Sequence, residues 1–375
     1  GGDSVMLENL RMGIVQRVLP GYRAELFDVL AELFPGGISV FAGDARPNEM
    51  ISSFTRMETT RFTYARNIHL FRGLFYLCWQ RGMLDWLERW NPDVLILEAN
   101  PRYLSSCQAV KWMHARHRKV IGWGLGAPEI TGFGSRIRFL FRHRFLSRFD
   151  GMIAYSRTGA EQYIAAGLPA SCVFVAPNAA ARRPVRFLAR KMNPGSCRVL
   201  FVGRLQNRKR VDMLIHACAD LPEGMHPDLW IVGNGPIAPN LEELAGEIYP
   251  STRFFGELHG EDLQSIFQQA DLFVLPGTGG LAVQEAMAAG LPVIVAEGDG
   301  TQDDLVRPEN GWRVAPGDQS ALTTALADAL QDRERLHRMG LESHRIVMEE
   351  INLEKMAAAF EHAIRVVLGD DECTS

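Results

Sequence analysis

The stretch Arg198-Val-Leu-Phe-Val-Gly-Arg-Leu-Gln-Asn-Arg-Lys-Arg-Val-Asp212 decides how the chain is read. A short apolar run of β-branched and aromatic residues is the length of a strand buried on both faces. Gly203 then ends it, a cationic loop follows, and helical spacing begins near Val211. One strand, one loop and one helix in that order form half of a βαβ unit, and the same grammar recurs on both sides. Downstream, strands are predicted at Leu229–Val232, Arg253–Phe255, Leu272–Leu275 and Val293–Val295. Helices are expected near Val211–Ala219, Leu241–Ile248, Leu263–Gln269, Ala282–Ala289, Ser320–Leu330 and Leu353–Val367. Upstream, strands are read at Met12–Val18, Ile38–Phe41, Val94–Leu97, Val120–Trp123, Met152–Tyr155 and Val173–Ala176. Helices lie between them near Ala24–Phe34, Phe71–Trp90, Ser105–His117, Ile137–Phe145 and Gly159–Ala166.

Between the two series, Asn178 to Ser196 carries two prolines, five basic residues and no acid, the composition of an interdomain linker. At 375 residues the chain exceeds what one core usually serves. The expected fold is therefore α/β, with two doubly wound Rossmann-like domains facing across a cleft. The first spans 1–185, the second 186–343, and a helix at about 344–370 packs back onto the first. A net charge of −4 gives no global attraction to nucleic acid. Six scattered cysteines contain no C-x-x-C pair, which suits a reducing compartment. Neither a signal pattern nor a run of the roughly 18 apolar residues that span a bilayer is apparent. A cytoplasmic location is expected, and without metal-ligand spacing among the histidines, no metal.

In parallel sheets ligands bind beyond the carboxyl ends of the strands, and the strongest motifs lie there. Arg204 and Lys209 follow the strand quoted above. Two cations in such a loop can grip a diphosphate, Arg bidentately and Lys as a point charge, although isolated loop cations are commonly just solvated. Leu229-Trp-Ile-Val-Gly-Asn-Gly-Pro236 ends in a turn where Gly233 and Gly235 let backbone approach a ligand. Leu275-Pro-Gly-Thr-Gly-Gly-Leu-Ala-Val-Gln-Glu285 passes from strand through a glycine-rich turn into a helix whose first amides can bind an anion. Glu285 in that helix either accepts hydrogen bonds from vicinal hydroxyls or simply complements the helix dipole.

Together and in this order, the three motifs resemble the retaining glycosyltransferases of family 4, which have the GT-B fold. The resemblance is strong over Val199–Val314 and looser before it. It implies that Arg204 and Lys209 hold the diphosphate of a UDP- or GDP-sugar donor and stabilise it as leaving group, with Gly203 in the same motif. It implies that Glu285 binds the donor ribose, that the amides of Gly280, Leu281, Ala282 and Val283 line the sugar and diphosphate, and that the segment ending at Leu258 contacts the base. The glycine loop of the first domain maps to Pro20-Gly21. No separate cofactor is implied; the donor is a substrate.

Two departures stand out. The acidic residue expected eight positions before Glu285, which touches the donor sugar, is replaced by Gly277. Restoring Glu there is expected to change sugar preference more than nucleotide affinity. A histidine that often faces the reacting sugar is replaced by Leu125, and Glu129 is the nearest titratable substitute, its other reading being a helix-start residue near Pro128. The resemblance implies metal-independent transfer of a sugar to a hydroxyl acceptor with retained configuration, in polysaccharide or glycoconjugate synthesis. The alternatives are a catalytically weak or inactive GT-B partner of another glycosyltransferase, or a sugar-nucleotide epimerase.

Gly134 to Phe149 holds Arg136, Arg138, Arg142, Arg144 and Arg148 among large apolar residues, with no acid. Charge and apolar side chains do not segregate cleanly around a helix, so a buried helix with snorkelling arginines fits better than peripheral membrane contact at the inner face of a membrane. Tyr22 and Arg23 are candidates for contact with acceptor or phosphate, their other reading being the start of a helix, and Glu98 and Asn100, after the strand Val94–Leu97, are candidates for acceptor recognition. Gly298 to Asp304 reads as a solvated turn.

Overall fold

The computed structural model describes residues 9–46, 59–71, 76–132, 134–184, 194–279, 281–298 and 301–369. The chain divides into two compact units, Gly1–Ala180 with Leu353–Ser375, and Ala181–Asn352.

In the first unit the strands are β1 (Met12–Val18), β2 (Ile38–Gly43), β3 (Arg61–Leu70), β4 (Leu77–Arg81), β5 (Val94–Glu98), β6 (Lys119–Gly124), β7 (Gly151–Ala154) and β8 (Val173–Val175). They form one sheet in the order β4-β3-β2-β1-β5-β6-β7-β8. Pairing is parallel except between β3 and β4. The helices are α1 (Ala24–Leu33), α2 (Met83–Trp90), α3 (Leu104–His114), α4 (Ser135–Leu146) and α5 (Arg157–Ala165). The order reverses between β1 and β5, which makes their carboxyl ends the place where a doubly wound sheet receives ligands. Continuous apolar strands such as Val94–Leu97 are fully buried, as a sheet covered on both faces requires. Trp86 stacks on Phe41 with ring centroids 5.2 Å apart and donates from Nε1 to the Ser39 hydroxyl, fixing α2 to the sheet.

The second unit carries β9 (Arg198–Val202), α6 (Val211–Ala219), β10 (Asp228–Val232), α7 (Ala238–Ile248), β11 (Arg253–Phe254), α8 (Gly260–Gln269) and β12 (Leu272–Leu275). It continues with α9 (Leu281–Ala288), β13 (Val293–Ala296), α10 (Thr301–Leu305), β14 (Gly311–Val314), α11 (Gln319–Leu330) and α12 (Arg333–Glu349). All its strands are parallel, in the order β11-β10-β9-β12-β13-β14, with the reversal between β9 and β12. Two of the three motifs therefore follow the two strands that flank the switch point.

The last helix, α13 (Leu353–Leu368), belongs to the first unit and packs on α1 and on β6, β7 and β8. Phe360 meets Trp123 edge to face at 5.0 Å. The unit boundaries fall after residues 180 and 352, where 185 and 343 were expected. The displacement at 343–352 arises because α12, absent from the sequence reading, stays in the second unit. Its buried Leu336, Met339, Gly340, Ser343, Ile346 and Val347 keep helical spacing, but most of its other residues are charged.

The predicted helix at Phe71–Trp90 is corrected. Residues 72–75 lie outside the described residues, Leu77–Arg81 is the antiparallel strand β4, and only Met83–Trp90 is helical. Gly82, at φ +89°, stands between them in a conformation that ends regular structure in either direction. β4 is held by long-range bonds: Gln80 Nε2 donates to the Gln16 carbonyl at 2.9 Å. Strands β3 and β14 also escaped the reading, β3 because its side chains are mixed and mostly exposed, β14 because it is only four residues long. Of the predicted linker, residues 185–193 lie outside the described residues. No helix among the described residues is long and apolar enough to cross a membrane.

Candidate functional site

At the carboxyl end of the second sheet, three loops are sewn together by backbone. Gly203 N donates to the Val232 carbonyl at 3.0 Å and Leu205 N to the Asn234 carbonyl at 2.9 Å, tying the loop after β9 to the loop after β10. Gly233 N reaches the Gly256 carbonyl at 2.7 Å and brings in the loop after β11, where Leu258 lies half-buried. These approaches exist because the residues are glycines. A Cβ on Gly233 would stand 1.9 Å from the Gly203 carbonyl oxygen, and one on Gly235 2.2 Å from that of Leu205. The glycine motif is thus first a packing device, whatever it offers a ligand.

The loop after β12 joins the same platform. Thr278 N donates to the Arg208 carbonyl at 3.0 Å, and Lys209 Nζ donates to the Thr278 carbonyl at 2.6 Å. Gly279 leaves the room this needs, since a Cβ there would lie 2.2 Å from Nζ. Loss of hydration, with the nearby Arg208 charge adding to it, lowers the Lys209 pKa to about 8. Arg204 is exposed, and its guanidinium has no hydrogen bond or ion pair among the described residues. Glu285, in the second turn of α9, is likewise exposed, its carboxylate unpartnered among the described residues. Leu281 and Ala282 open α9 and remain accessible in part, whereas the Val283 side chain is buried and can offer only its backbone amide. Gly280 lies outside the described residues. A half-buried cation, with an Arg and a Glu that are unpaired among the described residues on neighbouring elements, can bind a polyanion and a hydroxylated ring.

Gly277 has a structural cause that the motif comparison could not supply. A Cβ at this position would stand 2.2 Å from the Arg208 carbonyl oxygen and 2.5 Å from Lys209 Cα. The loop after β12 leans directly on the backbone of the cationic loop, so an acidic side chain cannot be added without moving Lys209. The expectation that Glu at 277 would alter sugar preference selectively is corrected on this ground.

In the first unit, Gly21 is exposed and opens a single turn, Gly21–Arg23, after β1. Arg23 is buried, not poised at the surface. Its guanidinium lies 4.8 Å from the Trp123 ring and 5.1 Å from those of Tyr22 and Tyr155, and Nη1 contacts Met356 Sδ at 3.8 Å. A cation boxed by aromatic faces is stabilised there by the ring quadrupoles. Leu125 is exposed at the rim of a cavity of about 480 Å³ beyond β5 and β6, together with Glu98, Asn100, Tyr103 and Trp123. Glu129 is not among its lining residues; it is exposed in a separate cavity of about 640 Å³. The carboxylate that shares space with Leu125 is Glu98. It accepts from Arg17 N at 3.0 Å, and loss of hydration raises its pKa, against the lowering influence of Arg17. Its position at the carboxyl end of an apolar strand by the switch point was the signal that could have ranked it above Glu129.

The helix over Gly134–Phe149 also departs from expectation. Only Phe145 and Leu146 of α4 are buried. Ile137, Leu140 and Phe141 are 61%, 63% and 71% exposed, which rules out the buried-helix reading.

The sequence and the fold, in turn, resemble known proteins. The family described as "Glycosyl transferases group 1" matches residues 189–345. A GDP-mannose-dependent alpha-mannosyltransferase of Mycolicibacterium smegmatis is 30% identical over 277 residues, 68% of this chain and 69% of that protein. The sulfoquinovosyl transferase of Arabidopsis thaliana is 34% identical over 148 residues, 38% of this chain. The alignment spans 28% of that enzyme, and 36% and 41% of two further curated relatives, so roughly a third of their length. The structure of Anabaena HepE in complex with UDP superposes with a TM-score of 0.66 at 14% identity, covering 95% of this chain and 99% of that one. This likeness shows a common fold of two Rossmann-like units. With an alignment to the mannosyltransferase that crosses both units, and with the family's region falling on the three stitched loops, the chain belongs to the group 1 glycosyltransferases.

Proposed function

We propose that this protein transfers a sugar from a UDP- or GDP-sugar to a hydroxyl acceptor with retention of configuration and without a divalent metal. The observation that carries the reading is the platform of loops after β9, β10 and β12, which presents Arg204 and Glu285, both unpaired among the described residues, and half-buried Lys209 in one unit. Arg204 and Lys209 neutralise the charge that develops on the diphosphate as the anomeric C–O bond breaks, and Glu285 accepts from the ribose hydroxyls. The acceptor oxygen bonds to the anomeric carbon on the same face, and its proton passes to the departing diphosphate. The mannosyltransferase relative, which uses GDP-mannose by its name, supports a nucleotide-sugar donor. We place the reaction in polysaccharide or glycoconjugate synthesis, in the cytoplasm at the inner face of a membrane. Free thiols at Cys107, Cys197 and Cys218 are in keeping with a reducing compartment.

The second reading, a GT-B partner with little or no activity, is favoured by the closed space at Gly277 and by Leu125. Titration calorimetry with UDP, GDP and their sugars, paired with a donor-hydrolysis assay, separates the two. Wild type binds in the micromolar-to-millimolar range usual for enzyme substrates, and Lys209→Ala and Glu285→Ala each weaken binding. The Lys209 ammonium is charged below its pKa of about 8. A bound diphosphate raises that pKa, so affinity for a nucleotide sugar, whose diphosphate diester does not titrate near neutrality, is flat at lower pH and falls as pH rises through about 8. Lys209→Ala abolishes this slope. No nucleotide binding at any pH refutes the transferase reading, and binding without hydrolysis or transfer favours the partner.

A further inference from the structure

A cavity of about 800 Å³ lies in the second unit, away from the donor platform. Its walls are the four residues of β14, the turn of Arg307 and Pro308 before it, and one side of α11. That side contributes Ser320, Thr324 and Asp328, spaced as neighbours along a helix face. None of Arg204, Lys209 and Glu285 lines the cavity, and β13 separates β14 from β12 in the sheet.

Its floor is apolar, with Val306, Val314 and Ala325 buried, but one large side chain, Trp312, is left half-buried among polar groups. The indole is fixed by α11 and α12. Its Nε1 donates to Asp328 Oδ2 at 2.9 Å, and Arg335 Nη2 pairs with the same oxygen at 3.1 Å. The Arg335 guanidinium also lies 5.5 Å from the centre of the ring. A ring held in this way loses little side-chain freedom when a ligand packs on it, which is what an aromatic binding platform requires.

The charges around the ring are already matched. Arg307 is paired with Glu350, Arg313 with Asp303, and Asp328 with Arg335. Asp318 accepts from Ala321 N at 2.9 Å and caps α11, and the exposed Thr324 hydroxyl donates to the Ser320 carbonyl at 2.8 Å. The cavity thus offers many hydrogen-bonding atoms and little uncompensated charge. An ionic ligand gains little from such walls. A neutral polyhydroxylated one gains more, since paired carboxylates and guanidinium groups keep sites for hydroxyls, and a sugar ring has a C–H face that packs on an aromatic. A peptide strand fits less well: β14 has only four residues, about 13 Å at roughly 3.3 Å per residue, with Pro308 and Pro316 on either side of it.

We propose that the cavity between β14 and α11 binds a neutral saccharide chain, with one sugar ring packed on Trp312 and hydroxyls bonded to Asp328, Thr324 and Arg313. The site goes beyond the transferase reading and does not depend on it; on that reading, it holds the chain of the acceptor or product away from the donor.

The test is a ligand-observed NMR titration of the full chain with maltotetraose, cellotetraose and an α-linked mannotetraose, and with tetragalacturonate as the charged counterpart. At least one neutral chain binds with a dissociation constant on the order of 0.1–1 mM, and methyl glucoside binds at least about tenfold more weakly. Affinity is the same at low and high salt, because no net charge is screened, and saturating UDP does not displace the chain. Trp312→Ala weakens binding at least about tenfold. Thr324→Met places a good helix former at an exposed site and crowds the cavity, weakening binding at least about threefold with the fold intact. Nucleotide affinity is unchanged in both variants. Failure of all three neutral chains to bind, tighter binding of tetragalacturonate, displacement by UDP, or full affinity in both variants overturns the proposal. So does self-association that Trp312→Ala abolishes, which makes the edge of β14 an interface between copies. Absence of saccharide binding with nucleotide binding intact sinks this inference alone, whereas saccharide binding without nucleotide binding sinks the transferase reading and leaves this site standing.

Discussion

Lys209 and Gly277 are a single structural fact viewed from two positions. The ammonium of Lys209 is anchored on the Thr278 carbonyl, and the backbone beneath it is what leaves Gly277 no room for a side chain. Gly277→Ala is the smallest probe of this packing. Because the obstructing atoms are backbone, relief requires a loop to move, and overpacking of this kind costs about 1–3 kcal/mol. The variant should unfold at lower urea concentration and also lose nucleotide affinity, because Lys209 moves with its loop. A variant that is destabilised but binds UDP and GDP as well as wild type contradicts the coupling. Glu98 carries the parallel lesson in the first unit: it shares a cavity with Leu125, and Glu129, near in sequence, does not.

Among elements, α12 shows how a packing constraint can reverse a propensity. Gly340 sits inside a helix, where Ala would ordinarily be better by about 0.8–1.0 kcal/mol. Here a Cβ would come within 2.1 Å of the Gly290 carbonyl oxygen, at the end of the segment following α9. Overpacking at about 1–3 kcal/mol exceeds the propensity gain. Gly340→Ala is therefore expected to lower the denaturation midpoint, and a raised midpoint would show that α12 can slide away from α9 freely. The same comparison explains why α12 escaped the reading. Its apolar stripe is narrow, and Arg345 with Glu342, Glu349 and Glu350 gives its surface the look of a solvated charge run. The misread stretch before α2 failed for a related reason: β4 is specified by partners on β1 and β3, distant in sequence, and by Gly82.

For the whole molecule, the chain leaves the first unit at Ala180 and re-enters it at Leu353. The stability of the first unit thus depends on the last helix. Phe360 is fully buried against Trp123, so Phe360→Ala should destabilise that unit by about 3–5 kcal/mol. Hydrogen exchange should quicken across β6, β7 and β8 while the second unit, to which α13 does not belong, keeps its protection. Uniform loss across both units would mean that they unfold as one, and would contradict the division.

The sequence alone determined the alternation of strand and helix, two doubly wound units, and the placement of Arg204, Lys209 and Glu285 just beyond strand ends. These rest on local periodicity and on glycine at chain reversals, which neighbours in sequence specify. What only the tertiary structure decided involves residues far apart along the chain. It set the closure of Gly277 by Arg208 and Lys209, the pairing of β4, the exposure of α4, the exclusion of Glu129 from the cavity of Leu125, and the entry of Glu98 into it. Each depends on which backbone or side chain occupies a given volume after folding, and no spacing along the chain encodes that by itself.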